Sequence, residues 1–185
     1  MAKDPYQLRL SGSGGQGLIV AGMIVAEAAV RDGKNVIQTQ SYGPEARLGA
    51  SRSEVIISSR RISFLEVLEP DLLLCLSQDS FNKYSSQVRR DSVVVIDSTN
   101  IKAAVPPPVE RFYRLPLTEL AIKDVGNRIT ANVVALGALN AIEEIVSWES
   151  LQEALVQRVP ARFRELNERA LEVGRRLVQA VHRPG

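Results

Sequence analysis

Short apolar runs alternate with longer amphipathic stretches along most of the chain. Residues 6–10 alternate apolar with polar side chains and precede a glycine cluster and an apolar helical stretch over 18–30. Five further strands are predicted, at residues 35–40, 54–58, 72–76, 92–97 and 111–115. The fourth and fifth strands of the chain are almost continuously apolar, as in strands buried on both faces of a largely parallel sheet.

Helices are predicted between the strands and over the last third of the chain. Residues 79–89 suit a surface helix, Thr130 suits the cap of a helix over 131–145, and a shorter helix fits 149–158. The last segment has apolar residues at three- and four-residue steps, namely Phe163, Leu166, Ala170, Val173, Leu177 and Val181. We therefore predict an α/β fold, a three-layer αβα sandwich with a largely parallel or mixed sheet, a Rossmann-like glycine-rich first loop and extra C-terminal helices. The 185 residues, 45% of them hydrophobic, suit a single domain over 1–185.

Two of the predicted helices are apolar on nearly every face. Residues 18–26 have no charged side chain, and in residues 131–142 only two asparagines are strongly polar. One interpretation is an obligate interface, with small residues such as Gly22, Gly137 and Ala138 packed closely by another chain. The other is that the two helices pack on opposite faces of the sheet beneath loops.

Charge and cysteine content exclude several classes of function. The formal net charge is only +2, too small to indicate binding to nucleic acid or to an anionic membrane, and no apolar run reaches the length of a membrane span. Cys75 is the only cysteine, which fits a reducing cytoplasm and cannot ligate an iron–sulfur cluster alone. The N-terminal residues lack the pattern of an export signal, so a cytoplasmic location is expected.

The glycine cluster Gly12-Ser13-Gly14-Gly15-Gln16-Gly17 fits G-x-G-x-x-G between a strand and a helix. A nicotinamide site would add an acidic residue at the tip of the second strand, but Thr39, Gln40 and Ser41 stand there and Asp32 precedes that strand. A Walker A loop is excluded because no Lys-Ser or Lys-Thr follows the last glycine. The amides can bind a phosphate or carboxylate, or the glycines can simply permit a tight turn.

These residues resemble the gamma subunit family of 2-oxoacid:ferredoxin oxidoreductases. The resemblance is carried by GSGGQG at 12–17, by SYGPEARLGAS at 41–51 with the strand EVIIS at 54–58, and by NVVALGAL at 132–139. It covers nearly the whole chain. Many relatives have Arg-Gly-Gly where this chain has Arg47-Leu48-Gly49.

The resemblance implies a subunit of an enzyme that decarboxylates a 2-oxoacid with thiamine diphosphate, passes electrons through iron–sulfur clusters to ferredoxin and transfers the acyl group to coenzyme A. Thiamine diphosphate, magnesium and the clusters would belong to alpha, beta and delta partner subunits. This chain would bind no cofactor alone and would supply no catalytic residue or metal ligand. It would help to close the active site and would contact coenzyme A or the substrate side of the thiamine. The ligand-contacting residues expected are Gly12, Ser13, Gly14, Gly15, Gln16, Gly17, Tyr42, Arg47, Gly49, Ser51 and Arg52. The alternatives are a free-standing nucleotide- or phosphate-binding module and a purely architectural subunit; Arg47 can equally pair with a carboxylate and only fix its loop.

Overall fold

A computed structural model of the chain describes residues 3–41 and 50–181, and within these ranges six strands form one sheet. The strands are β1 (Tyr6–Ser13), β2 (Asn35–Ser41), β3 (Ala50–Ser58), β4 (Leu72–Cys75), β5 (Val93–Asp97) and β6 (Arg111–Leu115). The α-helices are α1 (Leu18–Arg31), α2 (Gln78–Tyr84), α3 (Leu117–Leu120), α4 (Ala131–Glu143), α5 (Trp148–Arg158) and α6 (Arg164–Val181). Short turns of π-helix (Ala121–Val125) and 3-10 helix (Arg128–Thr130 and Ala161–Phe163) join the later helices.

The sheet is mixed, with the strand order β2-β3-β1-β4-β5-β6. Strands β1, β4, β5 and β6 are parallel, whereas β3 runs antiparallel to both β1 and β2. Only residues 42–49 separate β2 from β3, too few for the crossover that a parallel pair needs. The prediction of an α/β fold is confirmed. The sequence allowed either a largely parallel or a mixed sheet, and the sheet is mixed.

Strands β2 and β3 extend further toward residues 42–49 than the sequence predicts. The polar stretch between the predicted second and third strands looked like one long connector, but Gln40 pairs with Ser53, and Ser41 with Arg52. Polar residues can continue these strands because they lie near the edge of the sheet, where their side chains bond to neighbouring elements. The predicted bounds were therefore too short by four residues for β3 and by one residue for β2.

Helices cover both faces of the sheet, but unequally. On one face Leu8, Leu10, Leu72 and Leu74 pack in a single core with side chains of α1, α4, α5 and α6. On the other face a smaller core is completed by α2 and a nearby loop residue. Its members are Leu73, Cys75, Phe81, Tyr84, Val94, Ile96 and Ile101. The result is the predicted three-layer arrangement, with most helical mass on one side.

The two apolar helices α1 and α4 contribute to the same core, so the alternative in which they pack on opposite faces of the sheet was wrong. Every residue of α4 from Ala131 to Asn140 is buried within this chain. Helix α1 is less completely covered, with Val20 41% and Val30 60% exposed. The amphipathic helix α6 covers α4, a role that one of the two interpretations of the sequence gave to another chain.

Helices α4 and α6 cross with their backbones in direct contact. A Cβ atom on Gly137 would overlap the carbonyl oxygen of Leu171, and one on Gly174 would overlap the carbonyl oxygen of Val134. Neither neighbour can move without shifting a helix axis, because both are backbone atoms. The small residues of α4 therefore serve packing within the chain, which corrects the prediction of close contact by another chain there.

Replacing Gly174 with Ala is expected to destabilise the protein by about 3 kcal/mol, since the added methyl forces the closely packed backbones of α4 and α6 apart. At an exposed helical position the same change would instead stabilise by about 1 kcal/mol through helix propensity. Urea unfolding of the purified chain measures the difference. An unchanged or higher midpoint would contradict the close crossing described above.

Candidate functional site

The carboxyl ends of β1, β2, β4, β5 and β6 share one edge of the sheet, because all five strands run in the same direction. The glycine loop leaves β1 at this edge, α2 begins there after β4, and the polar residues 98–100 follow β5. Three residues expected to contact a ligand, Tyr42, Arg47 and Gly49, lie outside the described residues.

The glycine loop is a tight turn followed directly by the first turn of α1. The amide of Gln16 donates to the carbonyl of Ser13 at 3.3 Å, and Gly15 has φ +85°, the pattern of a type II turn with glycine at its third position. Gly17, with φ +70°, is the N-cap of α1 and provides no side chain to the first-turn amides. The loop thus ends at a helix terminus with unpaired donors.

Three side chains hold this loop in place. Gln16 Oε1 accepts from the amide of Ser13 at 2.7 Å, while its Nε2 donates to the carbonyl of Leu76 at 3.2 Å. Asn132 Nδ2, at the start of α4, donates to the carbonyl of Gly17 at 3.0 Å, and Ser51 Oγ donates to the carbonyl of Gly12 at 3.4 Å. The side chains of Gln16 and Ser51, both expected to contact a ligand, therefore bond to the protein's own backbone.

The four glycines of the loop differ in what the fold demands of them. A Cβ atom on Gly12 would collide with Gln16, and one on Gly17 would lie 2.5 Å from Asn132 Nδ2. Gly15 needs its left-handed backbone. Gly14 is exposed, lies outside the left-handed region, and a Cβ atom on it would meet nothing within 4 Å. The fold therefore gives no reason for glycine at position 14.

A cleft of about 270 Å³ opens beside Gly14 and Gly15. Its other lining residues come from the glycine loop itself, the segment just after β4, the start of α3, the 3-10 turn before α4 and the first residue of α4; they are Gln16, Leu76, Thr118, Arg128, Ile129 and Ala131. Sequence reasoning missed Thr118 and Arg128, because neither belongs to a motif and only the tertiary fold brings residues 118 and 128 to the glycine loop. Thr118 follows the last predicted strand closely, whereas no sequence signal marks Arg128.

A network of hydrogen bonds underlies the cleft, centred on the fully buried carboxylate of Asp97. Asp97 accepts from the amide of Thr99 at 3.1 Å, from Thr118 Oγ1 at 2.5 Å and from Asn100 Nδ2 at 2.7 Å. Asn100 Nδ2 also lies 3.0 Å from Thr118 Oγ1. Arg128 Nη2 donates to Asn100 Oδ1 at 3.3 Å, which connects the network to the rim of the cleft.

Arg52, expected beside the glycine loop, lies on the opposite face of the sheet, packed toward α2. Its Nε is 3.7 Å from Glu54 Oε1, and its guanidinium carbon is 5.9 Å from the centre of the Tyr84 ring. Glu54 also pairs with the buried Arg9, whose Nε lies 2.7 Å from the same oxygen. The structure therefore does not bring Arg52 into the cleft that Gly14 and Gly15 line.

The strand topology also bears on nicotinamide binding. In a dinucleotide fold the acidic ribose ligand ends a parallel strand beside β1, but here the antiparallel β3 occupies that position. Asp32 lies at the end of α1 and accepts from Ser147 Oγ at 2.7 Å and from Ser150 Oγ at 2.6 Å. Partial burial opposes its ionisation, but these bonds hold the pKa of Asp32 below its usual value. Asp32 thus ties α1 to α5.

Cys75 is completely buried in β4, where Ser11 Oγ lies 3.5 Å from its sulfur. Burial raises the pKa of the Cys75 thiol to about 11. Its neutral, enclosed state agrees with the interpretation of Cys75 as a small core residue, since a nucleophilic cysteine needs an exposed thiolate.

Cys75 is expected to resist iodoacetamide in the folded protein at about pH 8, because roughly one thiol in a thousand would be ionised and none is accessible. The same reagent should modify it fully in about 6 M guanidinium chloride, where the fold is lost. Mass spectrometry of the intact chain measures both. Rapid alkylation without denaturant would contradict the burial described.

Among residues 3–41 and 50–181 there is no group of three or more His, Cys, Asp and Glu side chains arranged to hold a metal ion. In the same ranges, no helix combines the length and the apolar character needed to cross a membrane.

The comparisons with known proteins all indicate the same family. Residues 7–177 match the family described as pyruvate ferredoxin/flavodoxin oxidoreductase. The 2-oxoglutarate synthase subunit KorC of Methanocaldococcus jannaschii is 44% identical over 170 residues, which is 91% of each chain.

Two solved structures share the fold. The gamma subunit of a keto/oxoacid ferredoxin oxidoreductase from Geobacter sulfurreducens PCA is 44% identical, with a TM-score of 0.85 over 95% of this chain and 99% of the other. A 2-oxoglutarate:ferredoxin oxidoreductase from Magnetococcus marinus, with 2-oxoglutarate, coenzyme A and succinyl-CoA bound, is 22% identical. It has a TM-score of 0.85 over 96% of this chain but only 32% of its own.

Proposed function

This chain belongs to the pyruvate ferredoxin/flavodoxin oxidoreductase family as a gamma-type subunit of a 2-oxoacid:ferredoxin oxidoreductase, and we propose that its glycine-loop cleft contacts coenzyme A in the assembled enzyme. The family membership confirms the resemblance carried by the sequence motifs. Binding of coenzyme A and closure of the active site are the roles proposed for this chain.

The main support for the proposal is that nothing in the fold requires a glycine at position 14. The other three glycines of the loop are explained by the turn, the helix start or close packing, whereas Gly14 faces open space in the cleft. A missing side chain at an exposed turn lets a phosphate approach the backbone amides, which are polarised by the N-terminus of α1. Coenzyme A carries such phosphates, and the related oxidoreductase of Magnetococcus marinus binds it.

A second, apolar groove of about 360 Å³ lies next to this cleft and shares Ile129 with it. Its apolar lining includes Val20, Ile24, Val133 and Phe163, of which Val20 and Phe163 are about 40% exposed. Coenzyme A joins a phosphate-rich part to a long, less polar arm, so a cleft that offers the glycine-loop amides and the cationic Arg128, and that continues into an apolar groove, suits both halves. This continuity supports coenzyme A over a ligand that is charged throughout.

The rest of the proposal concerns the assembled enzyme. Alpha, beta and delta subunits would carry thiamine diphosphate, magnesium and the iron–sulfur clusters, ferredoxin would accept the electrons, and the complex would lie in the cytoplasm. Thiamine diphosphate supplies the decarboxylation chemistry when bound in those partners. This chain would hold the phosphates of coenzyme A and keep water out of the site by covering it with the loop edge of the sheet.

Gly14→Ala is expected to raise the KM for coenzyme A roughly tenfold in the assembled enzyme while leaving kcat within about twofold, because the methyl obstructs ligand binding and not chemistry. The stability of the subunit should change by less than about 1 kcal/mol, since alanine fits this backbone and this space. Steady-state kinetics and thermal unfolding provide the two measurements.

Gly33→Ala is the matched control. Gly33 lies between α1 and β2 at the opposite edge of the sheet with φ +74°, so alanine there costs about 1 kcal/mol of stability without touching the cleft. Its KM for coenzyme A should stay at the wild-type value. An unchanged KM in Gly14→Ala, or tight binding of NAD at the glycine loop, would refute the proposed function and favour a structural or nucleotide-binding role.

A further inference from the structure

Arg128 is the one cationic side chain lining the cleft among the described residues. It is exposed, and within those residues its guanidinium makes a single hydrogen bond, to Asn100. Its other guanidinium donors have no partner among the described residues. An arginine with this geometry offers a planar fork of the kind that binds phosphate.

The backbone that carries Arg128 is fixed on both sides. Asn127 caps the short 3-10 turn, its Oδ1 accepting from the amide of Ile129 at 3.0 Å. Thr130 Oγ1 donates to the carbonyl of Asn127 at 2.8 Å, which joins this turn to the start of α4. Because α4 also holds Gly17 through Asn132, the turn and the glycine loop are positioned by the same helix.

Asn100 has only one orientation that satisfies its surroundings. Its Nδ2 faces three acceptors, Asp97 Oδ2 at 2.7 Å, Thr118 Oγ1 at 3.0 Å and the carbonyl of Leu76 at 3.3 Å. The amide oxygen must then point outward, where it accepts from Arg128. The buried carboxylate of Asp97 thus determines, through Asn100, where the guanidinium lies.

We propose that Arg128 is a phosphate-binding residue of the glycine-loop cleft and that Asn100 is its positioning residue. This inference rests on the proposed function and deepens it: a phosphate of coenzyme A lies between the amides beside Gly14 and the guanidinium of Arg128. The proposal adds Arg128, which lies outside the sequence motifs, to the residues that contact the phosphate. It also gives Asn100, one of the polar residues after β5, a role in orienting the Arg128 side chain.

The test uses the assembled oxidoreductase with coenzyme A, 3′-dephospho-coenzyme A and pantetheine as alternative acyl acceptors. Arg128→Gln should raise the KM for coenzyme A roughly ten- to a hundredfold, the loss expected for a hydrogen-bonded ion pair, with kcat little changed. The KM for pantetheine, which has no phosphate, should not change. If Arg128→Gln raises the KM for 3′-dephospho-coenzyme A as much as the KM for coenzyme A, Arg128 contacts the diphosphate. If it leaves the KM for the dephospho compound unchanged, Arg128 contacts the 3′-phosphate.

Further variants separate positioning from folding. Arg128→Lys keeps the charge but not the fork and should recover only part of the affinity. Asn100→Ala should raise the KM for coenzyme A but not for pantetheine, and combined with Arg128→Gln it should add nothing further. The matched control is Arg90→Gln, because Arg90 is an exposed arginine that pairs with Glu110 at the opposite edge of the sheet. This variant should leave the KM for coenzyme A and the KM for pantetheine unchanged.

Three outcomes would overturn the inference: Arg128→Gln behaving like Arg90→Gln, an equal loss with pantetheine, or failure of the variant subunit to join the complex, which would assign Arg128 to a partner's carboxylate. If Gly14→Ala weakens coenzyme A binding while Arg128→Gln does not, the inference fails and the proposed function stands. If neither variant affects coenzyme A, both fail.

Discussion

The position of the glycine loop depends on hydrogen bonds that distant side chains make to its backbone. Asn132 of α4 and Ser51 of β3 bond to its carbonyls, and Gln16 connects it to the end of β4. These elements come from three different parts of the chain, so the loop can form only when the sheet and α4 have assembled. Its exposed residues, Gly14 and Gly15, are consequently held without any bulky side chain of their own.

Helix α4 links this loop to the rest of the fold. Its buried faces pack on the sheet core and, through the glycine crossing at Gly137 and Gly174, on α6. Its first residues lie beside the loop and follow the turn that carries Arg128. The C-terminal helices therefore do more than add core volume, since they fix the element from which one side of the cleft is built.

The sequence predicted the strands and the order of helices well because their apolar periodicity is local. It did not predict that β3 lies antiparallel between β1 and β2, or that α6 covers α4, because both depend on pairings between distant segments. The glycine loop was identified correctly as a feature, but the distinction between Gly14 and its neighbours required the surrounding atoms. Arg128 was missed since its proximity to the loop arises only in the folded chain.

The most direct test is a structure of the assembled enzyme with coenzyme A bound, in which the distance from each phosphate to the glycine loop is measured. The account predicts a phosphate oxygen within about 3 Å of an amide of the turn beside Gly14. A coenzyme A molecule bound entirely by other subunits, with this turn buried beneath a partner's side chains, would contradict it.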